Sequence, residues 1–149
     1  MTDKPELLKV IKFKKVCPKV YRVKRPWGFF VKFVENADNI TIKLISVSPG
    51  EALSLQRHKD RDQLYYVLDT NIDIVACVDD RSIDDTEVAR QILHKAKTFR
   101  GKPEDMYFFE RGVWHRAVAT GDKPARYVEV AWGHNDEKDI ERAHDKYNR

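Results

Sequence analysis

The chain has 149 residues, which fits one domain with room for a hydrophobic core. Its start is basic, and no apolar run approaches the ~20 residues of a spanning helix, so a signal peptide and a membrane span are not expected. The net charge of +4 is uneven: residues 1–32 carry ten Lys/Arg against Asp3 and Glu6, and the remainder is net acidic.

The basic lead-in, residues 1–19, reads as a solvated lysine-rich segment. No aromatic ladder or recognition helix accompanies it, so nucleic acid is not an expected partner. Cys17 and Cys77 lack metal or redox spacing and read as free, buried thiols of a cytoplasmic protein. A short helix is expected at Glu6–Val10. Gly28–Val34 and Ile40–Val47, rich in aromatic and β-branched residues, flank a hairpin loop at Glu35–Asn39. Strands are expected next at Leu53–His58, Leu64–Leu68 and Ile72–Val78, with a turn at Asp69–Asn71 and an acidic loop at Asp79–Asp85. Arg90–Ala96, Met106–Glu110, His115–Ala119 and Tyr127–Trp132 complete about ten short strands. A surface helix is expected at Lys138–Tyr147, where charges occupy nearly every face. This rhythm of short strands and turns predicts an all-β antiparallel jelly roll, not alternating strands and helices.

The chemistry concentrates after Pro49-Gly50. Counting by twos along the next strand puts Ser54, Gln56, His58 and Asp60 on one side, and Leu53, Leu55 and Arg57 on the other. A second histidine, His115, waits on a later strand between Trp114 and Arg116. Side chains distant in sequence would thus converge on a metal-binding pocket. His94, His134 and His144 have no such context and read as surface or hydrogen-bonded residues.

Arg25-Pro26-Trp27-Gly28, then Ser48 to His58, Arg61, His115-Arg116, Glu129-Val130 with Gly133, and the closing Asp139 to Arg142 and Asp145 to Arg149 recur in an order that resembles one family. That family is the C-terminal cupin domain of type II mannose-6-phosphate isomerases, the domain often fused to a mannose-1-phosphate guanylyltransferase. The resemblance runs from about residue 20 to the end, so residues 20–149 are expected to form a single cupin domain. It lacks the nucleotidyltransferase half, and guanylyl transfer is not expected.

The resemblance implies a cupin jelly roll with a short C-terminal helical tail, and aldose–ketose isomerisation of a phosphosugar, with mannose 6-phosphate and fructose 6-phosphate as type substrates. It also implies a divalent metal, zinc first, with iron, manganese, cobalt or nickel as alternatives. Gln56, His58 and His115 match the family's ligand positions. Gln63 stands where the family has a carboxylate ligand, and Asp60 where it has a second histidine. Two accounts follow: Asp60 supplies the missing carboxylate, or the site has lost strength. Glu129 is the matching carboxylate on the last strand and the expected proton carrier, with Arg116 as a catalytic partner. By alternation Glu129 points away from Val128 and Val130, and either face could be the cavity. Arg61, Arg142 and Arg149 are the expected phosphate holders. A homodimer is the expected assembly, because jelly rolls expose edge strands that pair between subunits.

Two other readings use the same residues. His58, Asp60, His115 and Arg126 also spell the pattern of an iron(II)/2-oxoglutarate dioxygenase, with the arginine on the keto acid's far carboxylate. Alternatively, the pocket binds a sugar phosphate or sugar nucleotide without turning it over. Oxygen-dependent turnover would mark the first, and binding without conversion the second.

Overall fold

The computed structural model describes residues 22–134 and 138–148. The expected helix at Glu6–Val10 and the residues Cys17 and Arg149 lie outside them. The strands are β1 (Arg22–Arg25), β2 (Gly28–Ala37), β3 (Ile40–Val47), β4 (Leu55–Arg57), β5 (Arg61–Val67) and β6 (Ile72–Val78). After the helix α1 (Thr86–Lys95) come β7 (Lys97–Arg100), β8 (Met106–Phe109), β9 (Val113–Ala119), β10 (Ala125–Gly133) and β11 (Glu141–His144).

Two antiparallel sheets form, ordered β1-β2-β3-β10-β5-β8 and β11-β4-β9-β6-β7. Their facing sides share one core, in which Ile45, Val47, Tyr65, Val67 and Tyr127 of the first sheet meet Ile72, Ile74 and Ala117 of the second. This is the expected all-β sandwich. A smaller core lies on the other side of the second sheet, where Leu55 and Trp114 pack against Ile92 of α1.

Two turns show why these residues fold as they do. Asp38 and Asn39 both take positive φ (52° and 61°), which Asp and Asn tolerate and two-residue hairpin turns demand. The loop expected over five residues is therefore tight, with Ala37 facing Ile40. At the other hairpin, Pro26-Trp27 links Arg25 to Gly28. Gly28 has φ +145°, and a Cβ there would lie 2.1 Å from the Ser46 carbonyl oxygen. Trp27 is thereby fixed in the core, its carbonyl accepting the Ser48 N–H at 2.8 Å. Gly28→Ala is expected to cost about 3 kcal/mol or more and to lower Tm by roughly 10 °C. An unchanged melting curve would contradict this account of the turn.

Two expected elements are corrected. Arg90–Ala96 is not a strand but most of α1 and its cap. Asp85 caps the helix by accepting the Val88 N–H, and Val88 and Ile92, one turn apart, turn toward Trp114. The expected C-terminal helix is instead the strand β11. Lys138–Tyr147 is rich in charge, but its charges alternate across an edge strand: Glu141 bonds Arg57 on one face, while Arg142 faces the interior beside Gln56. The sequence reading also passed over β1 and β7, both short, exposed edge strands. Cys77 is a free thiol as expected, but half-buried, and its S–H meets the Ile92 carbonyl at 3.6 Å. No helix among the described residues is long and apolar enough to cross a membrane.

Candidate functional site

Along β5 and β3 the inward positions grade from apolar to polar, and β10 sets a single carboxylate among its inward positions. On β5 they read Val67, Tyr65, Gln63, Arg61; on β3, Val47, Ile45, Lys43, Thr41; on β10, Ala125, Tyr127, Glu129, Ala131. Register places Glu129 opposite Lys43 on one side and Tyr65 on the other, and Ala131 opposite Gln63. The sandwich is thus apolar at one end and holds a cavity of about 100 Å³ at the other. The question that alternation left open is answered here: Glu129 is on the cavity face and 5 % exposed.

Among the described residues four cations line the cavity, Arg25, Lys43, Arg61 and Arg142, and Glu129 is the only acidic lining residue. The Lys43 ammonium lies 3.7 Å from the Glu129 carboxylate. Gln56 and Gln63 complete the polar wall, with Ser54 donating to the Gln56 carbonyl oxygen at 2.7 Å. Trp27, Phe30 and Ile140 close it with apolar surface.

His58 and His115 come together beside this wall, their ring centroids 5.8 Å apart. His58 Nδ1 is 2.8 Å from the Asp139 carbonyl and His115 Nδ1 is 2.9 Å from the Val113 carbonyl. A carbonyl only accepts, so each Nδ1 carries the proton and each Nε2 presents a lone pair. Burial holds both imidazoles neutral. His58 is pushed down to about 2, with help from the positive charge of Arg61, and His115 to about 4. His58 Nε2 is buried and has no hydrogen-bond partner among the described residues. His115 Nε2 faces Gln63 Oε1 at 2.6 Å, one acceptor against another. Turning the Gln63 amide satisfies that contact, with its N–H donating to His115 Nε2. The chemistry of the donor set fits a divalent metal: the bare Nε2 of His58, the Nε2 of His115 and the side-chain amides of Gln63 and Gln56, the last opposite His115 in register.

Asp139 holds His58 in place from two sides. Its carbonyl fixes the ring tautomer, while its carboxylate accepts the N–H groups of Lys59 and Asp60 at 2.8 and 2.9 Å.

Other expected members are elsewhere. β4 ends at Arg57 and the chain bends at Lys59-Asp60, so alternation does not carry past His58 and the Asp60 side chain is exposed. Among the described residues, no three His, Cys, Asp or Glu side chains form a metal-holding group. The account in which Asp60 replaces the missing carboxylate, and the dioxygenase triad of His58, Asp60 and His115, are both corrected by this placement. Arg126, the dioxygenase arginine, lies on the outward face of β10 in a double hydrogen bond to Asp69. Arg116 is corrected as well: it alternates with His115 to the opposite face of β9 and reaches His144 at 3.2 Å, away from the cavity. Arg61 and Arg142 do line the cavity, whereas Arg149 lies outside the described residues.

Sequence reasoning missed Arg25, Lys43 and the Asp139 latch. Lys43 carried a usable signal, a lone cation in the apolar run Ile40–Val47. Both faces of that run are apolar, however, and only the pairing with Glu129 says which face is inside.

The buried histidines predict a pH dependence for the metal-free protein. Unfolded, each takes a proton below about 6.5; folded, each stays neutral to much lower pH. The unfolded state then binds more protons, so stability falls as pH drops from about 6.5 toward 4.5, before carboxylates titrate. Denaturant melts of chelated protein at pH 7.5, 6.5 and 5 check this. His115→Gln is expected to flatten the slope, and equal stability at all three values would contradict it.

Three solved structures place the fold among known ones. The capsular polysaccharide assembling protein CapF from Staphylococcus aureus shares 14% identity at a TM-score of 0.62, over 80% of this chain and 33% of CapF. Oxalate decarboxylase from Lactobacillus farciminis, in its formate complex, shares 15% at 0.60, over 81% of this chain and 32% of that one. KdgF from Halomonas sp. shares 13% at 0.57, over 78% of this chain and 91% of KdgF. The chain spans about a third of the length of the first two. These likenesses show a cupin fold. No curated protein matches the sequence. Residues 13–91, just over half of the chain, match the family described as mannose-6-phosphate isomerase C-terminal, and the chain belongs to that family.

Proposed function

We propose that the protein is a metal-dependent isomerase of a phosphosugar, interconverting an aldose and a ketose such as mannose 6-phosphate and fructose 6-phosphate. The observation that carries this reading is the charge of the cavity: four cationic side chains surround one buried carboxylate. A dianionic phosphate suits the cations, and the guanidinium groups of Arg61 and Arg142 offer forked donors to its oxygens. Glu129 is left to take a proton from one sugar carbon and return it to its neighbour. His58, His115, Gln63 and Gln56 would hold the metal. Bound there, it supplies Lewis acidity that makes hydrogen beside the sugar carbonyl easier to remove. Trp27, Phe30 and Ile140 keep water away from the sugar's carbon face.

Calorimetry tests the substrate class. Mannose 6-phosphate is expected to bind at least ~100-fold tighter than mannose, and Arg61→Ala to erase ~10–100-fold of that preference, the scale of a charge-assisted contact. Equal affinity for the sugar with and without its phosphate would sink the reading.

One observation favours a second reading, a cupin that binds a sugar phosphate without converting it. Gln63 stands where a carboxylate ligand would balance the metal, leaving a neutral donor set beside Arg61. Tight binding of the same ligand with no conversion after long incubation is its signature.

A further inference from the structure

The side chains that would hold the metal bring no negative charge, and the charges around them are mostly positive. His58 and His115 are neutral imidazoles, and Gln56 and Gln63 are amides. Among the described residues, Arg25, Lys43, Arg61 and Arg142 against Glu129 give the cavity lining a formal charge of +3. Glu129 itself lies 3.7 Å from the Lys43 ammonium. Arg61 is 7% exposed and shares the inward face of β5 with Gln63, two residues on, so their Cβ atoms are about 7 Å apart. Its charge reaches both rings, where it helps to keep them unprotonated. At His115 a metal also has a competitor within the chain, because the Gln63 amide at 2.6 Å can donate to Nε2. A divalent cation entering alone therefore meets uncharged ligands, a guanidinium close by and a hydrogen bond to break.

We propose that the cavity takes its metal and its anionic ligand as a linked pair, the phosphate of the sugar supplying the negative charge that the donor set lacks and each partner tightening the other. The inference rests on the reading of the cavity as a phosphosugar site and adds a dependence to it. A dianion held by Arg61 and Arg142 offsets the field of those two cations at the donors, so the metal no longer binds against it. The metal in turn adds two positive charges to the field that holds the dianion. Linkage makes the two effects equal: the factor that the anion gives the metal is the factor that the metal gives the anion. Gln63 is the residue that creates the dependence. A carboxylate in its place would give the metal a permanent counter-charge, and the metal would then bind well with or without the anion. With the amide, the centre is complete only when the phosphosugar is present.

Cobalt(II) titrations of the chelated full chain, followed by visible absorption at about 0.15 M salt, test this without measuring turnover. Saturating mannose 6-phosphate is expected to tighten cobalt binding by at least ~10-fold, and cobalt to tighten mannose 6-phosphate by the same factor. Mannose, which has no phosphate, is expected to leave the cobalt affinity unchanged. Gln63→Glu is expected to bind cobalt alone at least ~10-fold tighter and to cut the linkage to about 2-fold or less. Should that variant fail to fold, Arg61→Gln removes the nearby charge and is expected to tighten cobalt alone by roughly 5-fold while shrinking the linkage. Equal cobalt affinity with and without mannose 6-phosphate overturns the inference, and so does full linkage retained in either folded variant. Linkage without conversion to fructose 6-phosphate would sink the isomerase reading alone. Conversion without linkage would sink this inference alone.

Discussion

Glu129→Gln is expected to lower turnover of mannose 6-phosphate by about 10³-fold while leaving its binding within a few-fold, because the change removes a proton carrier and keeps the shape. Among the described residues Glu129 is the only acidic one lining the cavity, and its neighbours across the sheet are Lys43 and Tyr65. Among the described residues no second carboxylate lines the cavity to take over. Asp60 is exposed beyond the end of β4, and the Asp139 carboxylate is engaged by two backbone N–H groups. Steady-state kinetics with a separate binding measurement separates the outcomes. A variant with near wild-type kcat would mean that the proton moves through another group.

His58→Ala and His115→Ala are each expected to abolish stoichiometric metal. Each ring offers an Nε2 lone pair, and the amides of Gln56 and Gln63 are neutral, weaker donors that cannot hold a divalent ion by themselves. Elemental analysis of protein purified without a metal-chelating tag reads the result directly. Asp139→Ala is expected to weaken metal affinity by roughly 10-fold, since it releases the turn that follows His58 while keeping the ring. Full metal in both histidine variants would remove the metal centre from the account.

The comparison of sequence with fold turns on a few particular residues. Ile40–Val47 and Ile72–Val78 were legible to the residue, because β-branched runs bounded by turn residues have few other uses. His58, His115, Gln56, Gln63 and Glu129 were legible as a constellation, and the structure brings them to one end of the sandwich. Asp60 was misread because alternation was carried beyond the point where β4 stops pairing. Arg116 was misread because adjacency to His115 on a strand means the opposite face. The segment before Ala96 hid its helix behind an acidic loop whose last residue, Asp85, is the cap. Lys138–Tyr147 carried no apolar stripe of either period, and its pairing with β4 is a tertiary fact. Lys43 could be assigned to the cavity only through its register with Glu129, which no local pattern encodes.

The most direct test of the central claim is a coupled assay for fructose 6-phosphate formed from mannose 6-phosphate by metal-loaded protein, run beside the same protein after chelation. The account predicts turnover that disappears with the metal, returns on adding it back, and does not need oxygen. Mannose 6-phosphate bound but recovered unchanged after long incubation with the metal-loaded protein would contradict it.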